Sequence, residues 1–153
     1  MLYYFDSSAA VKRYAPEKGS EWVKLLVEPI EGNTVYLGQI GVVEIAAALS
    51  RKVRTKELTQ KGYEAALWLF LRDVQNEEYI IAPLSDQVVD LAVDLTRRHP
   101  LRGYDAVHLA TAIILNTALL EVELPSLTFV SADEALCKAA REEGLPADNP
   151  NEP

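Results

Sequence analysis

Cysteine is almost absent from this sequence: the single Cys137 excludes an internal disulfide and any multi-cysteine metal site. No basic-then-apolar leader is present either, since the N-terminus opens directly on the strand-like Leu2–Phe5, and a cytosolic location is expected. Even the Ala-rich and Leu-rich stretches read as interrupted by charge before the roughly 18 apolar residues that a membrane span requires. A membrane partner is therefore not expected. Basic charge is in deficit, because 15 Lys and Arg against 23 Asp and Glu leave a net charge of −8 and no general field to attract phosphates. That deficit argues against nucleic acid unless some of the acids hold cations, in which case Mg²⁺ or Mn²⁺ would reverse the local field. There is no Gly-rich phosphate loop with its Lys, and Asp6-Ser7-Ser8 lacks the second acid two residues on that an aspartyl-phosphate phosphatase needs.

The residues that are there have ordinary globular proportions, 49% hydrophobic and 25% charged, and a chain of 153 residues can bury a substantial core. Leu2–Phe5 reads as a buried strand that feeds a helical Ala9–Tyr14 through Asp6. Glu21–Val27 is helical, and Pro29 and Gly32 break it before a β-prone Thr34–Leu37. Ile40–Val53 has the Ala, Leu and Val content of a helix packed on most of its faces. Leu58–Val74 follows as a second helix, with Ala65 and Leu69 among its apolar positions. Tyr79–Ala82 is β-prone, and Asp86–Arg97 is an amphipathic helix capped by Ser85. Tyr104–Leu119 is apolar nearly all round and so central, with Asp105 in its first turn. A strand at Leu127–Val130 leads to a last helix that ends at Gly144. Strands alternating with helices predict an α/β domain, a mostly parallel sheet between helical layers, with sites beyond the carboxyl ends of the strands. No repeat or linker divides residues 1–153, so one domain is expected, with the Pro- and Asn-rich 146–153 as a short tail.

Asp6, Asp105 and Asp133 all fall just after a strand or in the first turn of a helix. Each alone has a plain explanation, because a carboxylate at a helix N-terminus gains about 0.3–1 kcal/mol from the helix dipole. For Asp133 the explanation is better still, since Ser131 and Glu134 have the spacing of a capping box. Glu44 differs in that it interrupts the apolar string Gly38–Leu49, where an unpaired carboxylate would be costly. Either a basic partner such as Arg51 or Arg54, or a metal, is required. Taken together, acids at the strand ends of one parallel sheet would converge on one rim and could not all stay ionised without cations. Hard oxygen ligands with no His or Cys cluster suit Mg²⁺ or Mn²⁺, and those ions suit phosphodiester hydrolysis.

The strings YYFDSSAAVKRY from Tyr3, GVVEIAAAL from Gly41, LRGYDAVHLATA from Leu101 and TFVSADEALCKAA from Thr128 resemble PIN domains, in the right order over nearly the whole chain. More narrowly they resemble the VapC-type ribonuclease toxins of toxin-antitoxin pairs. The resemblance implies a three-layer α/β/α PIN-like fold and an acidic site made of Asp6, Glu44, Asp105 and Asp133, with Ser7 and Ser131 as the small hydroxyl residues beside it. It also implies a Mg²⁺- or Mn²⁺-dependent endoribonuclease that leaves a 5′-phosphate, forms a homodimer and is held inactive by a cognate antitoxin. In that scheme Asp6, Asp105 and Glu44 hold the principal cation, and Asp133 holds a second ion or positions the attacking water. A short last strand belongs to the family pattern, and Pro146–Asn149 offers only a faint match to it.

Several other residues invite a role. Lys12 and Arg13 could grip RNA phosphates, although a solvated helix face explains them more simply; Arg102, beside the most specific string, is the better candidate. His108, three residues past Asp105, reads as a hydrogen-bonded or core histidine ahead of an acid-base group. His99, before Pro100, reads as a loop residue. Trp22, Trp68, Phe70 and the tyrosines at helical positions read as core, and apolar surface around Leu58–Val74 would suit a dimer contact. Two other functions compete. One is a non-catalytic PIN-like module whose acids dock a basic segment of a partner protein, and the other is a related nuclease acting on DNA flaps or precursor rRNA.

Overall fold

The computed structural model describes all residues, Met1–Pro153. Its centre is β1, Leu2–Phe5, whose near-continuous apolar sequence suits a strand buried on both faces. The chain then runs through α1 (Ser7–Ala10), a 3₁₀ turn (Val11–Arg13), α2 (Ser20–Leu26), β2 (Thr34–Gly38), α3 (Gln39–Arg54) and α4 (Gln60–Gln75). It continues with β3 (Ile80–Ala82), α5 (Asp86–Arg98), α6 (Gly103–Glu121), β4 (Thr128–Val130), α7 (Glu134–Glu142) and β5 (Ala147–Asp148). Every strand pairing is parallel and the sheet order is β3-β2-β1-β4-β5. The chain thus builds outward from β1 on one side and then returns to build outward on the other. The switch in direction lies between β1 and β4, and the rim beyond their carboxyl ends is where such sheets place their sites.

Alternation along β1 divides the core into two. Tyr3 and Phe5 enter a cluster formed with α1–α4, including Val23, Ile45, Leu49 and Phe70. Tyr4 points to the other face, into a cluster formed with α5–α7 that includes Leu95, Leu109, Phe129 and Leu136. The expected three-layer α/β/α arrangement is therefore present, with a wholly parallel sheet. The expected caps form at Ser85, whose hydroxyl accepts from the Val88 amide at 3.2 Å, and at Gly144, which ends α7 with φ +89°.

Four details depart from the sequence reading. On α4 the buried face is Ala66, Phe70 and Asp73, one position along from Ala65 and Leu69, and Trp68 lies 63% exposed instead of in the core. The charged Asp73 on the inner face disguises the period. The proposed capping box at α7 does not form: Asp133 itself caps the helix, accepting from Ala135 and Leu136 amides at 2.9 and 3.2 Å, while Ser131 and Glu134 have other partners. A last strand does exist, because the Phe129 amide donates to Pro146 O at 2.8 Å and the Ser131 amide to Asp148 O at 3.2 Å. Finally, α6 reaches the length and apolarity of a membrane span. Its apolar character serves the core, where Ala106, Leu109, Ala112 and Leu119 are buried.

Candidate active site

At the switch point the Asp6 amide donates to Val130 O at 3.1 Å, which sets the residues following β1 and β4 side by side. Asp6 caps α1 and is only 4% exposed. Its Oδ1 accepts from Ser8 Oγ at 2.7 Å and the Ala9 amide at 2.9 Å, and its Oδ2 accepts from Ser131 Oγ at 2.6 Å. Burial pushes this carboxyl above the usual range by more than those hydrogen bonds lower it. The hydroxyl beside Asp6 expected at Ser7 is supplied by Ser8, which also accepts from the Ala132 amide at 2.9 Å, so one side chain ties the two strand ends together. Ser7 only lines the cleft. The i, i+2 spacing of Asp6 and Ser8 carried that signal.

Asp105 lies in the first turn of its helix, α6, as expected, but not at the end of a strand, since α5 and α6 are joined directly. Its carboxylate, half-buried, receives no hydrogen bond from the chain. Burial raises it above the ordinary range, and the negative charges of Asp133 and Asp6 raise it further, ahead of the opposing influence of His108 and Arg102. Those couplings place Asp6, Asp105 and Asp133 in one electrostatic neighbourhood.

Glu44 arrives from α3, and its partner is neither Arg51 nor Arg54. His108 of α6 contacts Glu44 Oε1 through Nε2 at 2.5 Å, while its Nδ1 lies 2.9 Å from the Tyr4 hydroxyl. Arg51, two turns along α3, forms no ion pair with Glu44, whose salt-bridge partner is His108. Glycines make room for the histidine instead: a Cβ on Gly38 would lie 2.4 Å from the Tyr4 hydroxyl oxygen, and one on Gly41 would lie 3.4 Å from the His108 ring and 2.9 Å from a Leu37 methyl. The histidine is thus hydrogen-bonded and buried, as its position predicted. Glu44 Oε2 has no hydrogen bond within the chain.

Glu44 and Asp105, with Ser7 and Ser8, line a cleft of about 920 Å³ whose walls are α1, α3 and the start of α6, whereas Asp6 and Asp133 are not among its lining residues. Ile40, Val43, Ala47 and Arg51 line it from α3, so the second apolar face of that helix, which reads in the sequence as packed, opens onto the cleft. Tyr104, 60% exposed, and Arg102 line it from α6. Neither Arg51 nor Arg102 makes an ion pair. Lys12 and Arg13 are used elsewhere. Lys12 is buried and bonded to Glu17 at 2.9 Å and Lys18 O at 2.7 Å, and Arg13 is held by Glu78 and Tyr79 beside Asp73. Of the charged residues expected at phosphates, Arg102 is at the cleft; Tyr104, from the same string, and Arg51 are additions to which the sequence reading gave no role there.

The donor set fits a hard divalent cation. Asp105 offers two carboxylate oxygens without donors, Glu44 offers Oε2 and Asp133 offers Oδ2, all hard oxygen atoms, and the charges of Asp133 and Asp6 act on Asp105. No three His, Cys, Asp or Glu side chains stand close enough to enclose an ion as they are. The family model for the PIN domain matches residues 3–142. Among curated proteins, the chain is similar to ribonuclease VapC45 of Mycobacterium tuberculosis strain CDC 1551 / Oshkosh, with 33% identity over 118 residues, 73% of this chain and 75% of the relative. The same figures describe its similarity to ribonuclease VapC49 of Mycobacterium tuberculosis strain ATCC 25618 / H37Rv. Among solved structures, VapBC2 from Rickettsia felis bound to a DNA fragment from their promoter shares the fold with a TM-score of 0.62, at 17% identity, over 97% of this chain and 98% of that one.

Proposed function

This chain belongs to the PIN-domain family, and from that premise we propose that it is a metal-dependent endoribonuclease of the VapC toxin type. The observation that carries the reading is Asp105: a half-buried carboxylate without a hydrogen-bond donor, raised by burial and by the charges of Asp133 and Asp6, at the switch point of a parallel sheet. The ribonuclease names of the two mycobacterial relatives support it.

In this reading Asp6, Glu44 and Asp105 hold the principal Mg²⁺ or Mn²⁺, and Asp133 holds a second ion or orients the attacking water. The cation, when bound, supplies the positive charge that a phosphodiester and its leaving oxygen need at a negative rim, and favours ionisation of water. Asp6 is kept in place by Ser8, Ser131 and the Ala9 amide, so its carboxylate is orientated before any ligand arrives. Arg102 and Arg51, free of ion pairs on opposite walls, are suited to flanking phosphates of an RNA strand. Water attacks phosphorus in line and the 3′ oxygen departs, taking up a proton, so that the product carries a 5′-phosphate. A cognate antitoxin restrains the enzyme, and a homodimer forms through apolar surface such as Trp68, Leu69 and Leu71 of α4, all exposed.

The test is cleavage of a mixed tRNA and ribosomal RNA pool by the purified chain with Mg²⁺ or Mn²⁺, beside EDTA and Asp105→Asn controls. Cleavage that both controls abolish is expected. A folded, partner-free protein that cleaves nothing would turn the reading toward a protein-binding module.

A further inference from the structure

The contact between Glu44 and His108 joins the two helical layers at the carboxyl end of the sheet, because Glu44 belongs to α3 on one face and His108 to α6 on the other. His108 is 1% exposed and holds two partners. An ionised Glu44 can only accept, so Nε2–H donates to it; in the neutral imidazole Nδ1 is then an acceptor, and the Tyr4 hydroxyl donates to it. This tautomer is assigned from its partners. Tyr4 is itself packed in the core, fully buried, with its ring stacked on Phe129 at 5.6 Å between centroids. Gly38 and Gly41 keep open the space that the hydroxyl and the imidazole occupy. The result is a line of donors, Tyr4 O–H to His108 Nδ1 and His108 Nε2–H to Glu44 Oε1, that ends at the cleft. It fixes one oxygen of Glu44 and leaves the other without a partner.

We propose that His108, backed by Tyr4, is a positioning residue that holds Glu44 with Oε2 available to a divalent cation. This rests on the reading of Glu44 as a cation ligand. Outer partners of this kind orient a ligand and typically change metal affinity by 10- to 100-fold when removed. His108 touches no reacting atom in this account and acts only through Glu44.

The experiment is Mn²⁺ binding to the whole purified chain, read from the paramagnetic resonance signal of free Mn²⁺, with thermal unfolding in EDTA as the folding control. His108→Phe is expected to weaken Mn²⁺ binding about 10- to 100-fold. His108→Gln, whose amide nitrogen can take the place of Nε2, restores most of that loss. Glu44→Gln weakens binding by itself, and adding His108→Phe to it costs nothing further, since the histidine then has no ligand to orient. Tyr4→Phe removes only the hydroxyl. It lowers affinity a few-fold and shifts the His108 ring-nitrogen resonances from one tautomer toward a mixture, which keeps the test open if His108→Phe does not fold. Wild-type affinity in a folded His108→Phe, or an equal loss with and without Glu44→Gln, overturns the proposal. If Glu44→Gln leaves Mn²⁺ affinity intact while Asp105→Asn removes it, the proposal falls with Glu44 and the nuclease reading stands. If the wild type binds no Mn²⁺, both fall.

Discussion

Two carboxylates on opposite helical layers of this molecule have opposite surroundings. Asp73 on α4 is 2% exposed, and the chain itself satisfies it: Arg72 at 2.9 Å, Arg13 at 3.4 Å and the Tyr14 hydroxyl at 2.8 Å. Asp105 on α6 is less buried, yet it has no donor, and two further acids act on it. A buried carboxylate is tolerated when it is paired and hydrogen-bonded. Asp73 meets that condition and reads as a structural link between α4, the turn after α1 and the loop before β3. Asp105 does not meet it, and that supports the proposed role of a cation ligand. Burial by itself separates the two poorly. The presence or absence of the chain's own donors separates them well.

The largest expected effect breaks the comparison at its functional end. Asp105→Asn lowers kcat for RNA cleavage by about 10²- to 10³-fold, the scale on which loss of a charge-stabilising group is felt. It also raises the unfolding temperature in EDTA. A carboxyl whose folded pKa is raised contributes stability below its unfolded pKa and loses it as pH rises through the folded value, so at neutral pH the ionised Asp105 is a burden that Asn removes. Asp73→Asn should do the reverse. It leaves Arg13 and Arg72 short of a partner and costs about 3 kcal/mol in urea unfolding, while cleavage per folded molecule stays unchanged.

A smaller effect concerns Glu17, at the cleft edge. Burial would raise its carboxyl, but hydrogen bonds from Lys52 and Lys12, both at 2.9 Å, prevail and hold it below the ordinary range. Its contribution is therefore present above the unfolded glutamate value of about 4.3 and lost as pH falls through the depressed folded one. Lys52→Met should weaken that acid-side loss in melts taken between neutral and acid pH. The smallest effect is at an exposed acid: Asp94→Asn, which breaks the pair with Arg98 on the surface of α5, should change stability by less than about 1 kcal/mol.

Local signals made much of the fold legible. An apolar run ending in Asp6, a serine before Asp86 and a glycine after the last helix each act within one turn of chain, and the corresponding elements begin or end close to where they predict. The misreadings come from contacts between distant residues. Glu44 and His108 are 64 residues apart, so only the folded sheet reveals that a histidine and not an arginine compensates the carboxylate. The buried face of α4 was displaced by one residue because Asp73 looks like a surface residue until Arg13, 60 positions earlier in the chain, is brought against it. The two-residue β5 has almost no signal of its own and is held by backbone bonds to β4. At the cleft, Glu44 and Asp105 stand in the quoted strings. Ser8 and Tyr104 stand in those strings too, but what they face, like the place of Arg51, follows from how α1, α3 and α6 are set against one another.

The most direct test of the account is anomalous diffraction from crystals of the wild-type chain soaked in Mn²⁺. The account predicts a Mn²⁺ peak in the cleft, within coordinating distance of Asp105 and of the Glu44 oxygen turned away from His108, and none beside Asp73. A cleft without a peak, or ions that avoid Asp105, would contradict it.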